Sequence, residues 1–166
     1  MNLSNYKKTL KNPLRARTIT FLIKENRVVL GRKKQGFGKG NFLGIGGKVE
    51  IGEKIEDAAK REILEEIKVE LTDVKHRGEI DFYFPHIADE KRNMKVHIFV
   101  CESWQGEPRE TEEIAPFWFE KNSIPFEQMW DDAKYWLTEI LEGKKLKAEF
   151  IYDKDLKVKD YKREYL

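Results

Sequence analysis

Between Lys54 and Ile67 the chain places Ile55, Ala59, Ile63 and Ile67 four residues apart, a single apolar stripe on a helix of about 3.6 residues per turn. No other segment limits the fold as strongly, because a stripe of this kind needs a facing surface to cover it. The start of the helix is weakly marked, since Lys54 stands where a Ser or Thr cap is expected. Beside the stripe lie Glu62, Glu65 and Glu66. At about 100° per residue they fall within an arc of roughly 100°, and the Glu62/Glu66 pair costs an isolated helix about 0.2–0.5 kcal/mol.

Geometry alone leaves two readings of these acids. They form a solvated face, with Arg61 pairing to Glu65 and Lys60 moderating the field. Or they are the oxygen-rich cluster that a hard divalent cation such as magnesium takes, together with waters and substrate phosphates.

The segments around this helix read mainly as strands. RTITFLIKENRVVLGRKK is two strands about a turn at Glu25–Asn26. QGFGKGNFLGIGGK is a glycine-rich loop that permits close approach of a ligand. HRGEIDFYFP and NMKVHIFVCESW are strands joined by the polar HIADEKRN, GEPRETEEIAP is loop, and PFWFE is a short strand. A second helix is expected over roughly 131–141, burying Trp136, Leu137, Ile140 and Leu141 and stopping at Gly143. The tail is a closing hairpin about Lys154–Asp155. Strands and helices mixed in this order imply a sheet covered by helices on both faces.

Length and composition exclude several classes. A chain of 166 residues suits one domain that buries its own core. Thirty-two basic against thirty acidic residues leave a net charge of +2, too balanced for a dedicated nucleic-acid binder. The first seventeen residues hold Lys7, Lys8, Lys11, Arg15 and Arg17 without an acid, and a solvated, frayed arm is expected there. Cys101 is the single cysteine, so no internal disulfide forms; it sits in an apolar run and is expected to be buried. His76, His86 and His97 are too scattered for a zinc site. No apolar run reaches membrane-spanning length and no secretory leader is visible, so the expectation is a cytoplasmic protein without membrane association.

Spacing around the acids narrows the choice. Gly47, Glu53 after five intervening residues, Arg61 and Glu62 after seven more, then Ile63, Glu65 and Glu66 resemble the signature of the Nudix hydrolases. The resemblance implies an α+β Nudix fold: an α/β/α sandwich with a mixed β-sheet and a C-terminal hairpin. It implies hydrolysis of a nucleoside diphosphate linked to another group, with Mg²⁺ or Mn²⁺ held on the diphosphate. Carried over position by position, Glu62, Glu65 and Glu66 become metal and base residues, with Glu66 or Glu62 taking the proton from water. The carbonyl of Gly46 becomes a further ligand, and Glu53 with Arg61 a pair that orients helix and loop. Lys68 departs from the pattern, which has glycine there, so a lysine must end the helix at positive φ at a cost of about 1 kcal/mol.

LGRKKQGFGKGNFLGIGGKVE, GEIDFYF, VHIFVCESWQGEP and IPFEQMWDD with the following YW are similar to the 8-oxo-dGTP diphosphatases within that family. The likeness covers residues 17–166 as one Nudix hydrolase domain and leaves 1–16 outside it as a basic N-terminal arm. Such enzymes cleave an oxidised purine nucleoside triphosphate to the monophosphate and pyrophosphate, cleansing the nucleotide pool and so sparing DNA from mutagenic precursors. The implied partner is that nucleotide, with no stable nucleic acid complex and a monomer favoured. Lys33 would then face phosphates or sugar, and Phe37, Phe82 and Trp130 would line the base pocket. Asp131 and Asp132 would meet the purine edge, and Glu113, or its neighbour Glu112, would assist at the metal.

Each of these residues has a plainer role: Phe82 and Trp130 as core, Lys33 as a solvated strand-end residue, Asp131 and Asp132 as helix caps. Two departures bear on base choice. Leu43 replaces an asparagine that reads the base in the animal enzymes, and the Trp130-Asp131-Asp132 run lacks their intervening proline. The alternatives are therefore a Nudix hydrolase acting on another nucleoside diphosphate derivative, or a nucleotide-binding module that has lost catalysis.

Overall fold

Apolar residues on both faces of RARTITFLIK make β1 (Arg15–Lys24) a central strand, and the sheet is built around it. The computed structural model describes residues 1–166, all but the side chain of Lys91. β1 runs parallel to β6 (Met94–Gln105), from Arg15 opposite Met94 to Leu22 opposite Cys101. Its other edge is shared. Residues 17–20 pair with β4 (Ile45–Lys48), while Ile23 and Lys24 pair with β2 (Arg27–Lys33) across the turn expected at Glu25–Asn26. β2 also joins β3 (Phe42–Leu43) and β7 (Ile114–Glu120). Beyond β6 come β5 (Glu70–Tyr83), then β8 (Leu146–Tyr152) parallel to β5, then β9 (Val158–Tyr165) closing the C-terminal hairpin. Parallel and antiparallel pairs make this nine-stranded sheet mixed.

Alternation along β1 separates two cores. Phe21 and Ile23 point into one with Ile98, Phe150, Leu137 and Ile140. Leu22 points to the other face with Ile45, Cys101, Ile63 and Ile67. α2 (Ile55–Ile67) therefore covers one face of the sheet and α3 (Leu137–Leu141) the opposite one, as expected of the sandwich. Ala59, Ile63 and Ile67 are wholly buried, and each isoleucine contributes about 1.5–3 kcal/mol by leaving water. Lys54 makes no side-chain cap, and Lys68 ends the helix at φ 62°, ψ 33°, its N–H donating to the Leu64 carbonyl at 3.1 Å.

Three expectations are corrected. The glycine-rich loop contains two short strands, β3 and β4, because their backbones find partners in β2 and β1 that local sequence does not reveal. The helix expected over 131–141 is broken into a 3₁₀ turn at Ala133–Tyr135 and the short α3, with Trp136 between them at φ −145°. Its indole N–H donates to Asp132 at 2.7 Å, and the Tyr152 hydroxyl donates to the same carboxylate. Tertiary bonds to a buried acid thus outweigh helical continuity.

The N-terminal arm, finally, is not frayed. α1 (Leu3–Lys7) is capped by the Asn2 side chain and packs Leu3 against Tyr83 and Ile151, with Tyr6, Leu10 and Leu14 alongside. Leu3 is 5% exposed, so burial of scattered apolar residues offsets the arm's charge. No helix is long and apolar enough to cross a membrane among the described residues.

Candidate active site

α2 lies over the β1–β4 pair, and that placement presents its acids at graded depth. Glu62 is buried, Glu66 half-buried and Glu65 exposed. Glu62 lies directly above Gly47, where a Cβ would stand 2.3 Å from the Glu62 carboxylate. A side chain here would force the Glu62 carboxylate to move. Burial pushes the Glu62 carboxyl up, partly offset by its hydrogen bond from Arg61.

Arg61 ties this corner together. Its Nε and Nη2 donate to the two oxygens of Glu53 at 2.7 and 2.9 Å, and Nη2 also reaches the Lys48 carbonyl at 2.9 Å. Nη1 donates to Glu62 at 3.0 Å and Glu65 at 3.3 Å. The forked bond from Arg61, with the Glu50 N–H, holds the Glu53 carboxyl down at about 2. Glu53 and Arg61 are thus joined as the sequence suggested, and they fix helix to loop.

Glu66 faces the other way. The loop joining β6 to β7 is fastened to the end of α2 by Thr111 Oγ1 donating to the Glu66 carbonyl and Arg109 N–H to the Ile67 carbonyl, each at 2.9 Å. Glu113 follows on that loop, its carbonyl accepting the Lys34 N–H at 2.9 Å. Its carboxyl hydrogen-bonds with Glu66. Burial first, then this bond and the charges of Glu113, Glu62 and Glu65, raise Glu66 to about 7. Glu112 does not line the cleft; its carbonyl accepts from Gln35.

The cleft itself has a volume of about 300 Å³ and is lined by Arg17, Lys33, Gln35, Gly36, Leu43, Gly46, Glu66, Glu113 and Ile114. Lys33, Leu43, Gly46, Glu66 and Glu113 are therefore brought together in one cleft. In the sequence Arg17 reads as the last cation of the basic N-terminal run, and nothing there points to Gln35. Arg17 reaches the cleft because β1–β4 pairing sets it opposite Lys48, beside Gly46 and Gly47. That long-range register left no signal in the sequence. Burial lowers the proton affinity of both Arg17 and Lys33, and mutual repulsion lowers that of Lys33 further.

Phe37 and Trp130 meet with ring centroids 5.0 Å apart, and Trp130 packs so closely on Gly38 that a Cβ there would lie 3.1 Å from its indole nitrogen. Their further partners are Phe84 and Tyr152. Phe82 lies elsewhere in this core, stacked on Phe150 at 5.9 Å. Asp131 accepts the Val158 N–H at 2.9 Å and an ion pair from Lys134 at 3.1 Å. Asp132 is 5% exposed, with its carboxylate taken by Trp136 and Tyr152. Neither aspartate makes a side-chain helix cap.

Among the described residues no three acidic, histidine or cysteine side chains are gathered tightly enough to form a metal cage. The three α2 glutamates are divided between Arg61 and Glu113. The chemistry nevertheless fits a hard dication: Glu66 and Glu113 bring only oxygen donors, beside Gly46, and the repulsion that raises Glu66 is one that a cation would relieve.

Comparison with known proteins agrees with this architecture. A model of the NUDIX domain matches residues 13–140. The oxidized purine nucleoside triphosphate hydrolases of Danio rerio and Mus musculus are each 42% identical to this chain over 133 residues, 80% of its length and 83% of theirs. A MutT protein from Bacillus halodurans, 21% identical, superimposes with a TM-score of 0.78 over 91% of this chain and 98% of its own, a likeness of fold.

Proposed function

The chain belongs to the Nudix family, and from that premise we propose that it hydrolyses oxidised purine nucleoside triphosphates of the 8-oxo-dGTP type. Water and the triphosphate become the nucleoside monophosphate, pyrophosphate and a proton, which removes damaged precursors from the nucleotide pool. One observation carries the reading: a single cleft sets the acid pair Glu66/Glu113 opposite the cations Arg17 and Lys33. A polyphosphate needs the cations, and acids beside it make sense only where a dication sits between.

Mg²⁺ is the proposed cofactor, with Mn²⁺ as a substitute, held by Glu62, Glu65, Glu66 and Glu113 with the Gly46 carbonyl. When bound, it supplies charge neutralisation and Lewis-acid polarisation of the phosphorus. The chain's own residues do the rest. Arg17 and Lys33 bind phosphate oxygens and orient the chain of phosphates in the cleft. Glu66, whose carboxyl already exchanges a proton near neutrality, accepts the proton of the attacking water. Arg61 and Glu53 keep α2 and the glycine loop in register. Phe37 and Trp130 offer the base a stacking surface backed by Phe84, Leu43 lines the cleft, and Phe82 contributes through the core on Phe150. Asp131 and Asp132 reach the purine edge only if they give up the bonds described above, so their proposed contribution is to hold Trp130 in place.

Residues 17–166 act as the catalytic domain and 1–16 as a packed appendage, in a monomer that works in the cytoplasm without stable nucleic acid. The test is pyrophosphate release from a panel of nucleoside triphosphates with Mg²⁺. Turnover should favour 8-oxo-dGTP over dGTP, stop with a chelator and return with added Mg²⁺. Equal rates on the two nucleotides would refute the substrate, and chelator-resistant turnover the chemistry.

A further inference from the structure

The N-terminal segment is fastened to the loop between β5 and β6 at several points. Asn93, 2% exposed, accepts the Phe84 N–H at 2.8 Å and donates to the Tyr6 hydroxyl at 2.9 Å. The Glu90 carboxylate accepts the backbone N–H groups of Lys11 and Asn12, both at 3.2 Å. The segment is itself rooted by Leu3 on Tyr83 and Ile151, and by Lys7 paired with Glu149 at 2.7 Å.

The loop held in this way carries Arg92, whose guanidinium lies 4.4 Å from the centroid of the Phe37 ring. Phe37 directly follows Gly36, which lines the cleft with Arg17 and Lys33, so the guanidinium stands beside that cleft, and its charge repels both cations. Among the described residues, none of these three cations has a carboxylate within ion-pair distance, although paired cations are common elsewhere on the surface. Three unpaired like charges at one cleft raise the energy of the free protein, and a polyanion relieves it. A guanidinium lying on an aromatic face is oriented by the ring while its fork of N–H donors stays available.

We propose that Arg92 is a substrate-binding residue that engages the polyphosphate together with Arg17 and Lys33, and that the N-terminal segment is the brace holding it over Phe37. The proposal rests on the nucleotide reading above and extends it to two parts of the chain that reading does not use. Arg92 touches substrate, whereas Tyr6, Glu90 and Asn93 are positioning residues that act through it.

Calorimetric titration with inorganic tripolyphosphate and Mg²⁺ tests binding without hydrolysis, and steady-state kinetics on 8-oxo-dGTP test the consequence. Arg92→Ala should weaken tripolyphosphate binding and raise KM about ten- to a hundredfold, leaving kcat within about twofold, as expected for a lost charged contact in the ground state. Arg92→Lys should recover part of the loss. The double variant Tyr6→Phe, Glu90→Gln should raise KM in the same direction by a smaller factor, and should add little when Arg92 is already alanine. Unchanged tripolyphosphate affinity in Arg92→Ala, or no measurable affinity in the wild type, overturns the proposal. Full additivity of the brace variants with Arg92→Ala overturns the brace. A wild type that binds tripolyphosphate through Arg92 yet releases no pyrophosphate from nucleotides would sink the hydrolase reading and leave this one standing.

Discussion

Replacing Asp132 by asparagine should remove a pH dependence of folding that runs opposite to the usual acid denaturation. The carboxyl is buried between Trp136 and Tyr152, and burial raises it from 3.8 to about 6, even though bonds from Tyr152 and Trp136 favour its charged form. In the unfolded chain it returns to 3.8. Below about pH 4 both states are protonated and the favourable contribution is complete. As pH rises through about 6 the native carboxyl must ionise inside the core, and the contribution is lost. Two pK units correspond to about 3 kcal/mol, and for a chain of this size 1 kcal/mol moves Tm by about 2–4 °C.

Thermal unfolding followed by far-UV circular dichroism between about pH 4 and pH 7 measures this directly. Glu53, held at about 2 by Arg61, contributes stability that is lost as pH falls, and it does so equally in both proteins. The difference between wild type and Asp132→Asn isolates the buried acid. Relative to the variant, the wild type should lose about 6–12 °C in Tm between about pH 4 and pH 7. Asparagine can still accept from the Trp136 indole and donate to the Tyr152 hydroxyl, so the variant should fold. A Tm difference that stays constant across this range would refute the assignment of a strained, ionising Asp132.

Gly47→Ala should separate folding from turnover: the added methyl comes nearest to the flexible end of Glu62, so Tm should change little, while displacement of that carboxylate from Arg61 should lower kcat for pyrophosphate release by about a hundredfold or more. Lys68→Gly should stabilise the protein by up to about 1 kcal/mol in urea denaturation, because Lys68 holds φ 62° at the end of α2, where glycine pays no Cβ penalty.

What could be read from the sequence was whatever repeats locally. The four-residue spacing of Ile55, Ala59, Ile63 and Ile67 located α2 and its buried side, and the alternating strands and the hairpin after Tyr152 followed from period and turn chemistry. The spacing from Gly47 through Glu66 identified the family. Unreadable were features set by distant partners. Trp136 breaks a helical run because Asp132 and Tyr152, twenty residues apart, share a hydrogen bond in the core. Arg17 seemed part of a charged arm until pairing with β4 put it beside Gly46. The sequence points to Phe82 for the aromatic site, yet Phe84, just past the end of β5, is the ring that meets Phe37 and Trp130. The acids in α2 looked equivalent by helical angle, but docking on the sheet gave each a different depth and partner.

That inequality bears on why the cleft stays open. Arg17 feels the negative charges of Glu62 and Glu66, and Lys33 those of Glu113 and Glu66, but no ion pair closes between the two groups among the described residues. Had they collapsed together, a phosphate would first have to break salt bridges worth a few kcal/mol each in a half-buried site. Instead Glu62 is occupied by Arg61, and Glu66 is raised by burial and by the neighbouring acids, while β1 and β2 hold the cations across the gap. Each group is uncomfortable alone and neither can relieve the other. On the proposed reading, a polyphosphate carrying a dication would answer both at once, its oxygens to the arginine and lysine and its metal to the carboxylates. The free energy of like-charge crowding, built in by the fold, would thereby become binding energy for a ligand of that composite charge and for few others.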